Sequence, residues 1–252
     1  MKKYTLKQIQ DKKEWDAFVQ SQPYTLFVQS PNYGSFFEAL GEKSWIFGIY
    51  NETDTLVGGS LVLSTHAKRG NFLYLPYGPL IDLQDKQLET AFHEFTIFIR
   101  DFAKKNNYRF IRVSPFAEST EQHVQMLASE KYISAPMHVL AETTWLLDVT
   151  KEEKELMRSM KKNHRNLIRR CEREGVRVEE RTDLEALEIL HTLLDETEKR
   201  HKFTRFSRSY INREFTQFAK DTQASIFIAY LPDGTVDSAA IIMFYGTRAV
   251  YR

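Results

Sequence analysis

The sequence predicts an α/β (α+β) fold of two tandem units, residues 1–144 and 145–252, with mixed sheets flanked by helices and the second unit incomplete. Helical and strand periodicities alternate along both halves of the chain. The segments IFGIYNETDTLVGGSLVLS (46–64) and IFIAYLPDGTVDSAAIIMFY (226–245) each run Ile-Phe, a Tyr at the same offset, a short turn, Val, small residues and an apolar strand. Two hairpins can look alike by chance, but the upstream helices also correspond in order, which favours internal duplication. With 42% hydrophobic and 13% aromatic residues, the 252-residue chain can bury one large core or two of ordinary size.

The elements follow in order. Asp11 and Glu14 form a D-x-x-E capping box, and Trp15, Phe18 and Val19 mark the apolar face behind it. Ser30-Pro31 opens a second helix that Gly41 closes. SWIFGIY and TLVGGSLVLS flank a polar turn as a hairpin, and NFLYLPYGPLI adds extended chain whose prolines suit a sheet edge or an exit rather than a central ladder. A long helix is predicted from about Asp85 to Lys105, then the strand RFIRVSP. In the second half, SMKKNHRNLIRRCERE is helical up to Gly175, and VRVEER is a strand. Asp183 caps a helix with an inner stripe of Leu184, Leu187, Leu190 and Leu194. YINREFTQFAKD is a further helix, followed by a hairpin turning at Pro-Asp-Gly. TRAVYR starts a strand that the chain end cuts short, so the sequence is expected to be a C-terminally truncated piece of a longer protein.

Composition narrows the chemistry. A net charge of +1 gives no global pull toward polyanions, so basic patches must be local. A single cysteine, Cys171, excludes an intramolecular disulfide framework and a cysteine-based zinc site, and fits the cytoplasm. The start MKKYTLKQIQ lacks the apolar stretch of a signal peptide, and no run suits a transmembrane segment. The seven histidines show no ligand spacing, so no metal is expected; no G-x-S-x-G, no P-loop and no glycine-rich pyrophosphate loop occurs. No cofactor is implied.

Residues 159–176 hold two Lys, four Arg and a His against two Glu. Lys161, Arg165, Arg169 and Arg173 recur every fourth residue as one stripe, with Lys162 and Arg170 beside it. Met157, Met160, His164, Leu167 and Cys171 are expected to form an apolar face packed inward, with Cys171 there for packing. The stripe suits phosphates of a polyanion; a merely solvated face is the alternative. RHKFTRFSRSY (200–210) mixes cations with Phe203, Phe206 and Tyr210, and either holds a phosphate or sugar ring or is a solvated connector. Tyr74 and Tyr77, between prolines, suit cleft lining or edge packing equally.

FVQSPNYGSFFEAL, YLPYGPLI, RVSP, TTWLLDVTKEEKELMRSMKKNHRNLIRRCEREGVRV, ETEKRHKFTRFSRSYI and AAIIMFYGTRAVYR together resemble, in order, the FemABX family of peptidoglycan-bridge aminoacyltransferases. The absence of a heptad insertion after residue 210 is similar to the FemX-like plan. The resemblance implies tandem GNAT-like domains and transfer of an amino acid from aminoacyl-tRNA to the stem-peptide amine of a peptidoglycan precursor, UDP-linked or lipid-linked. It also implies peripheral contact with a membrane-bound substrate. It matches Thr204 and Tyr210 to precursor-contacting positions, and puts Phe206 where an Arg grips the diphosphate, with Arg205 as the nearby substitute. Ser35 or Phe36 falls where a phosphate-contacting Lys is expected, so that contact reads as lost; Tyr77, as cleft lining, is counted with Ser35 among the substrate-binding candidates. The resemblance places the catalytic groups beyond Arg252. The alternatives are a GNAT-like N-acyltransferase using a small acyl donor, which a glycine-rich loop would support, and a non-catalytic RNA-binding module.

Overall fold

The computed structural model describes residues 4–68, 70–82 and 88–252. The chain divides into two units, Met1–Leu140 with Phe244–Arg248, and Ala141–Met243 with Ala249–Arg252.

The first unit runs β1 (Thr5–Gln8), α1 (Lys12–Ser21), a 3₁₀ turn (Phe27–Gln29), α2 (Pro31–Ala39), β2 (Ser44–Tyr50), β3 (Leu56–Ala67), β4 (Gly70–Leu75), α3 (Glu89–Lys105), β5 (Phe110–Val113) and α4 (Glu121–Ser129). Its sheet has the order β1-β2-β3-β4-β5, antiparallel up to β4 and parallel between β4 and β5. The parallel step requires a crossover, which α3 supplies. The expected start of that helix at Asp85 lies outside the described residues. Pro76 ends β4 rather than interrupting it, so this strand can sit between β3 and β5.

Phe47, Val62, Leu73, Leu75, Phe95 and Ile99 meet in the core between sheet and helix. Trp15 is fully buried and donates its indole N–H to the Gln29 carbonyl at 2.7 Å. The buried Gln29 side chain accepts from the Leu61 N–H at 2.8 Å and donates to the Pro76 carbonyl, so the amide is satisfied where water is excluded. Gly78 lies against that amide: a Cβ there would stand 2.2 Å from Ser60 Oγ. Ser30 caps α2 by accepting from the Tyr33 N–H at 3.2 Å, as its sequence signature predicts. The capping box at Asp11 is only half made. Asp11 accepts from the Lys13 N–H, whereas Glu14 turns to the Tyr50 hydroxyl at 2.7 Å.

From residue 141 on, the chain forms α5 (Glu153–Ser159), α6 (Lys162–Arg173), β6 (Arg177–Arg181), α7 (Leu184–His201), α8 (Arg208–Ala219), β7 (Ala224–Tyr230), β8 (Val236–Tyr245) and β9 (Arg248–Tyr251), all in the second unit except residues 244–248. The sheet order is β6-β7-β8-β9, with β6–β7 and β7–β8 antiparallel. Leu187, Leu190, Phe215, Phe218, Ile226, Ile228 and Met243 are buried. The stripe predicted for α7 is shifted: Leu184 is exposed in the first turn, and Ala186 and His191 are buried instead.

The two look-alike segments are the hairpins β2–β3 and β7–β8. Their ladders share a defect: the register shifts between Ile49 and Tyr50 in one and between Ala229 and Tyr230 in the other, leaving Tyr50 opposite Leu56 and Tyr230 opposite Val236. A bulge at the same point before the turn is a specific likeness beyond strand alternation.

Candidate anion and substrate sites

The basic helix differs from expectation. The chain breaks at Met160–Lys161, ending α5 before α6 begins. No residue of α6 is buried; Leu167 is 56% exposed and Cys171 is exposed. The inner face drawn through Met160, His164, Leu167 and Cys171 is therefore not packed inward, and Cys171 is no packing residue. Amphipathic spacing requires only that apolar residues share a side, not that something covers it. Arg165 leaves the stripe: its guanidinium donates to the Met160 carbonyl and, at 3.2 Å, to the Arg158 carbonyl, closing the end of α5. Arg170 pairs with Glu174 at 2.7 Å. Lys161, Lys162, Arg169 and Arg173 form no ion pair among the described residues, and all four are exposed.

The segment after α7 is built in the opposite way. Lys202 ends that helix in the left-handed conformation with φ 53°. Arg205, its side chain only 12% exposed, folds back onto α7, pairing with Asp195 and reaching Glu198 at 3.3 Å. It also approaches Nδ1 of the buried His191 at 3.5 Å, while Nε2 of that ring meets Asn212 Oδ1 at 2.6 Å. Arginine can only donate, so Nδ1 faces Arg205 as the acceptor and Nε2 donates to Asn212. Arg208 reaches Asp195 at 2.6 Å and Glu188 at 2.9 Å. The hydrogen bond from Arg208, joined by that from Arg205, holds the Asp195 carboxyl below its ordinary range. Arg205, which the resemblance puts near a diphosphate, is thus engaged with the carboxylates of α7.

Thr204 is exposed in this segment. Tyr210, half-buried in the first turn of α8, stacks on Phe206 with centroids 4.5 Å apart and planes 12° apart. The Arg252 guanidinium lies 5.6 Å from the Phe206 centroid and is held by Glu214, whose oxygens it meets at 2.9 Å. Burial raises the Glu214 carboxyl above its ordinary range even against the opposing Arg252 charge.

In the first unit, Tyr77 is half-buried at φ 52° with its ring edge-on to Phe116 at 5.2 Å; Tyr74 is buried within β4. Ser35 donates to the Pro31 carbonyl at 3.2 Å and accepts from the Lys12 ammonium, also at 3.2 Å. A cation therefore does stand at the Ser35 position, supplied from α1. Sequence reasoning missed Lys12 because 23 residues separate the pair and only the fold joins them. Among the described residues no cluster of His, Cys, Asp or Glu could hold a metal ion.

The class these features define is a two-unit α/β protein with a bare cationic helix in its second unit. The sequence matches the FemAB family over residues 10–143 and 133–235, and the chain belongs to that family. The aminoacyltransferase FemA of Staphylococcus aureus strain MW2 is 26% identical over 105 residues, and the proteins of strains COL and N315 match equally. That match covers 41% of this chain and 24% of FemA, so the chain aligns with about a quarter of the length of these relatives. The crystal structure of FemX has the same fold, with a TM-score of 0.82 at 17% identity, over 98% of this chain and 79% of that one. The tandem α/β architecture expected from the sequence thus agrees with both the structure and this likeness.

Proposed function

We propose that this chain acts in an aminoacyltransferase that moves an amino acid from aminoacyl-tRNA to the stem-peptide amine of a peptidoglycan precursor. The observation that carries this reading, within the FemAB family, is the exposed group Lys161, Lys162, Arg169 and Arg173 with no carboxylate partner among the described residues. Unpaired surface cations release counterions on meeting phosphates, which gives affinity for tRNA without base readout. Thr204 and Tyr210, with Arg205 bracing their segment, are assigned to the precursor; Ser35 with Lys12, and Tyr77, are assigned to substrate contacts in the first unit.

The chemistry is acyl transfer. The acceptor amine attacks the ester carbonyl of the charged tRNA, a C–N bond forms, the C–O bond to the terminal ribose breaks, and the amine proton ends on the ribose oxygen. Such a reaction depends on positioning two large substrates and on stabilising the tetrahedral oxyanion. None of the described residues is assigned the latter task. No described helix is long and apolar enough to cross a membrane, which is compatible with cytoplasmic work on a UDP-linked precursor or at the membrane face on a lipid-linked one.

The test is a transfer assay with tRNA charged with a radiolabelled amino acid and with soluble and lipid-linked precursors in separate arms. Label passing to either precursor supports the proposal. Protein that binds tRNA yet discharges it to neither acceptor supports the RNA-binding module instead, and transfer from a small acyl donor alone supports the N-acyltransferase.

A further inference from the structure

A second cationic feature lies in the first unit, where the end of α3 meets the starts of β4 and β5. The chain leaves α3 through Asn106 and Asn107, the latter left-handed at φ 60°, and returns along the helix as Tyr108–Phe110. This reversal borders an open surface hollow of about 540 Å³ that Arg100, Lys104 and Arg109 line beside Asn107, Phe110 and Tyr132. None of the residues lining it is acidic. Glu130, whose carbonyl accepts from Arg100, has its carboxylate engaged with His93 Nδ1 at 2.7 Å.

The cations are held by different means. Arg100 donates to the Glu130 carbonyl and lies over the Tyr132 ring, 5.3 Å from its centroid. Arg109 is fixed through its main chain, which donates to the Asn71 carbonyl at 2.9 Å, and its stem crosses Gly70. A Cβ on Gly70 would stand 2.7 Å from Arg109 Cδ, and the residue has φ 119°, so only glycine leaves this path open. Lys104, in the last turn of α3, makes no ion pair among the described residues. Phe110 adds an aromatic surface: its ring is stacked on Phe72 at 4.6 Å and 9°, yet the residue is 43% exposed.

We propose that this hollow binds a nucleotide, with Lys104, Arg109 and Arg100 facing its phosphate and Phe110 stacking on its base. Cations alone would fit any anion. An immobilised, half-exposed ring beside them fits a phosphate that carries a planar base. The volume lies within the range of small-ligand sites. Two sources share this chemistry, the nucleoside diphosphate of a soluble precursor and a nucleotide of tRNA. Both candidates come from the proposed function, but the assay reads binding without turnover, so either proposal can fail while the other stands.

The probes are UDP, inorganic pyrophosphate, uncharged tRNA and heparin, titrated into the whole chain. Lys104→Glu with Arg109→Glu is expected to weaken binding of UDP, tRNA or both by about tenfold or more. Phe110→Ala is expected to weaken the base-bearing probe by about tenfold, to leave pyrophosphate within about twofold, and to be rescued by Phe110→Trp. Dependence seen with UDP alone assigns a soluble nucleotide, and dependence with tRNA alone assigns RNA. The proposal is overturned if correctly folded variants bind UDP and tRNA like the parent. It is equally overturned if heparin shows the same charge dependence and Phe110→Ala changes nothing, which would leave a generic polyanion surface.

Discussion

The second unit carries two basic segments of similar composition, α6 with its cap and residues 200–208, and they behave in opposite ways. In 200–208 Arg205 and Arg208 are consumed internally, converging on Asp195 and reaching Glu198 and Glu188, while Arg200 and Lys202 at the end of α7 are exposed. Of the α6 cations, only Arg165 and Arg170 have partners among the described residues, while Lys161, Lys162, Arg169 and Arg173 face solvent. A charge count does not separate cations braced by carboxylates from cations left exposed. The position of the carboxylates does, since α7 offers Asp195, Glu188 and Glu198 within reach whereas α6 has Glu172 and Glu174 at its far end.

The comparison can be broken first at its most enclosed member. Arg205→Ala leaves Asp195 short of a partner and His191 Nδ1 without its donor, and should lower the melting temperature by about 3–6 °C, read by differential scanning calorimetry. Arg169→Ala should move it by less than about 1 °C.

pH sharpens the same contrast. The carboxyl of Asp195 is held down, so its contribution is complete above the ordinary aspartate range and is lost as pH falls through the lowered value. Glu214 runs the other way. Its carboxyl is raised by burial, so its contribution is complete below the ordinary glutamate range and is lost as pH rises through the raised value. Asp195→Asn should flatten the acid limb of the melting-temperature profile, and Glu214→Gln should remove the loss on the rising side. Substituting Arg169 or Arg173 should leave the profile's shape unchanged.

A smaller effect is expected at the aromatic stack. Phe206→Ala removes the parallel contact with Tyr210 and the Arg252 contact, which together should lower stability by about 0.5–1.5 kcal/mol in urea titration. The smallest effect is expected from Leu167→Ser on α6, below about 0.5 kcal/mol by the same titration, because the side chain is already exposed. A loss of several kcal/mol there would mean that this face is covered after all.

Much of the fold is legible in the sequence because its signals are local. Ser30-Pro31 and Asp183 mark helix starts, Gly41 and Gly175 mark stops, and the Pro-Asp-Gly turn joins two strands, all within a few residues of the element they define. The candidate sites are less legible because partners come from elsewhere. Lys12 reaches Ser35 across two helices, and the fate of Arg205 depends on carboxylates up to ten residues earlier on α7. The spacing of Leu167 and Cys171 identifies an apolar side, but only the packing around α6 says that it is uncovered. The hollow beside Phe110 joins the end of α3, a turn and β5, and has no linear signature.

The central claim is that the unpaired cations of α6, rather than the carboxylate-paired Arg205 and Arg208, meet the phosphates of tRNA. It is tested most directly by measuring tRNA affinity against salt for the parent protein, for Lys161→Glu/Arg169→Glu/Arg173→Glu, and for Arg208→Glu. The helix variant should lower the slope of log affinity against log salt by about 2–3. Arg208→Glu should leave that slope within about 0.5 of the parent while lowering the melting temperature. An unchanged slope in the helix variant, or an equal fall in both, would contradict the account.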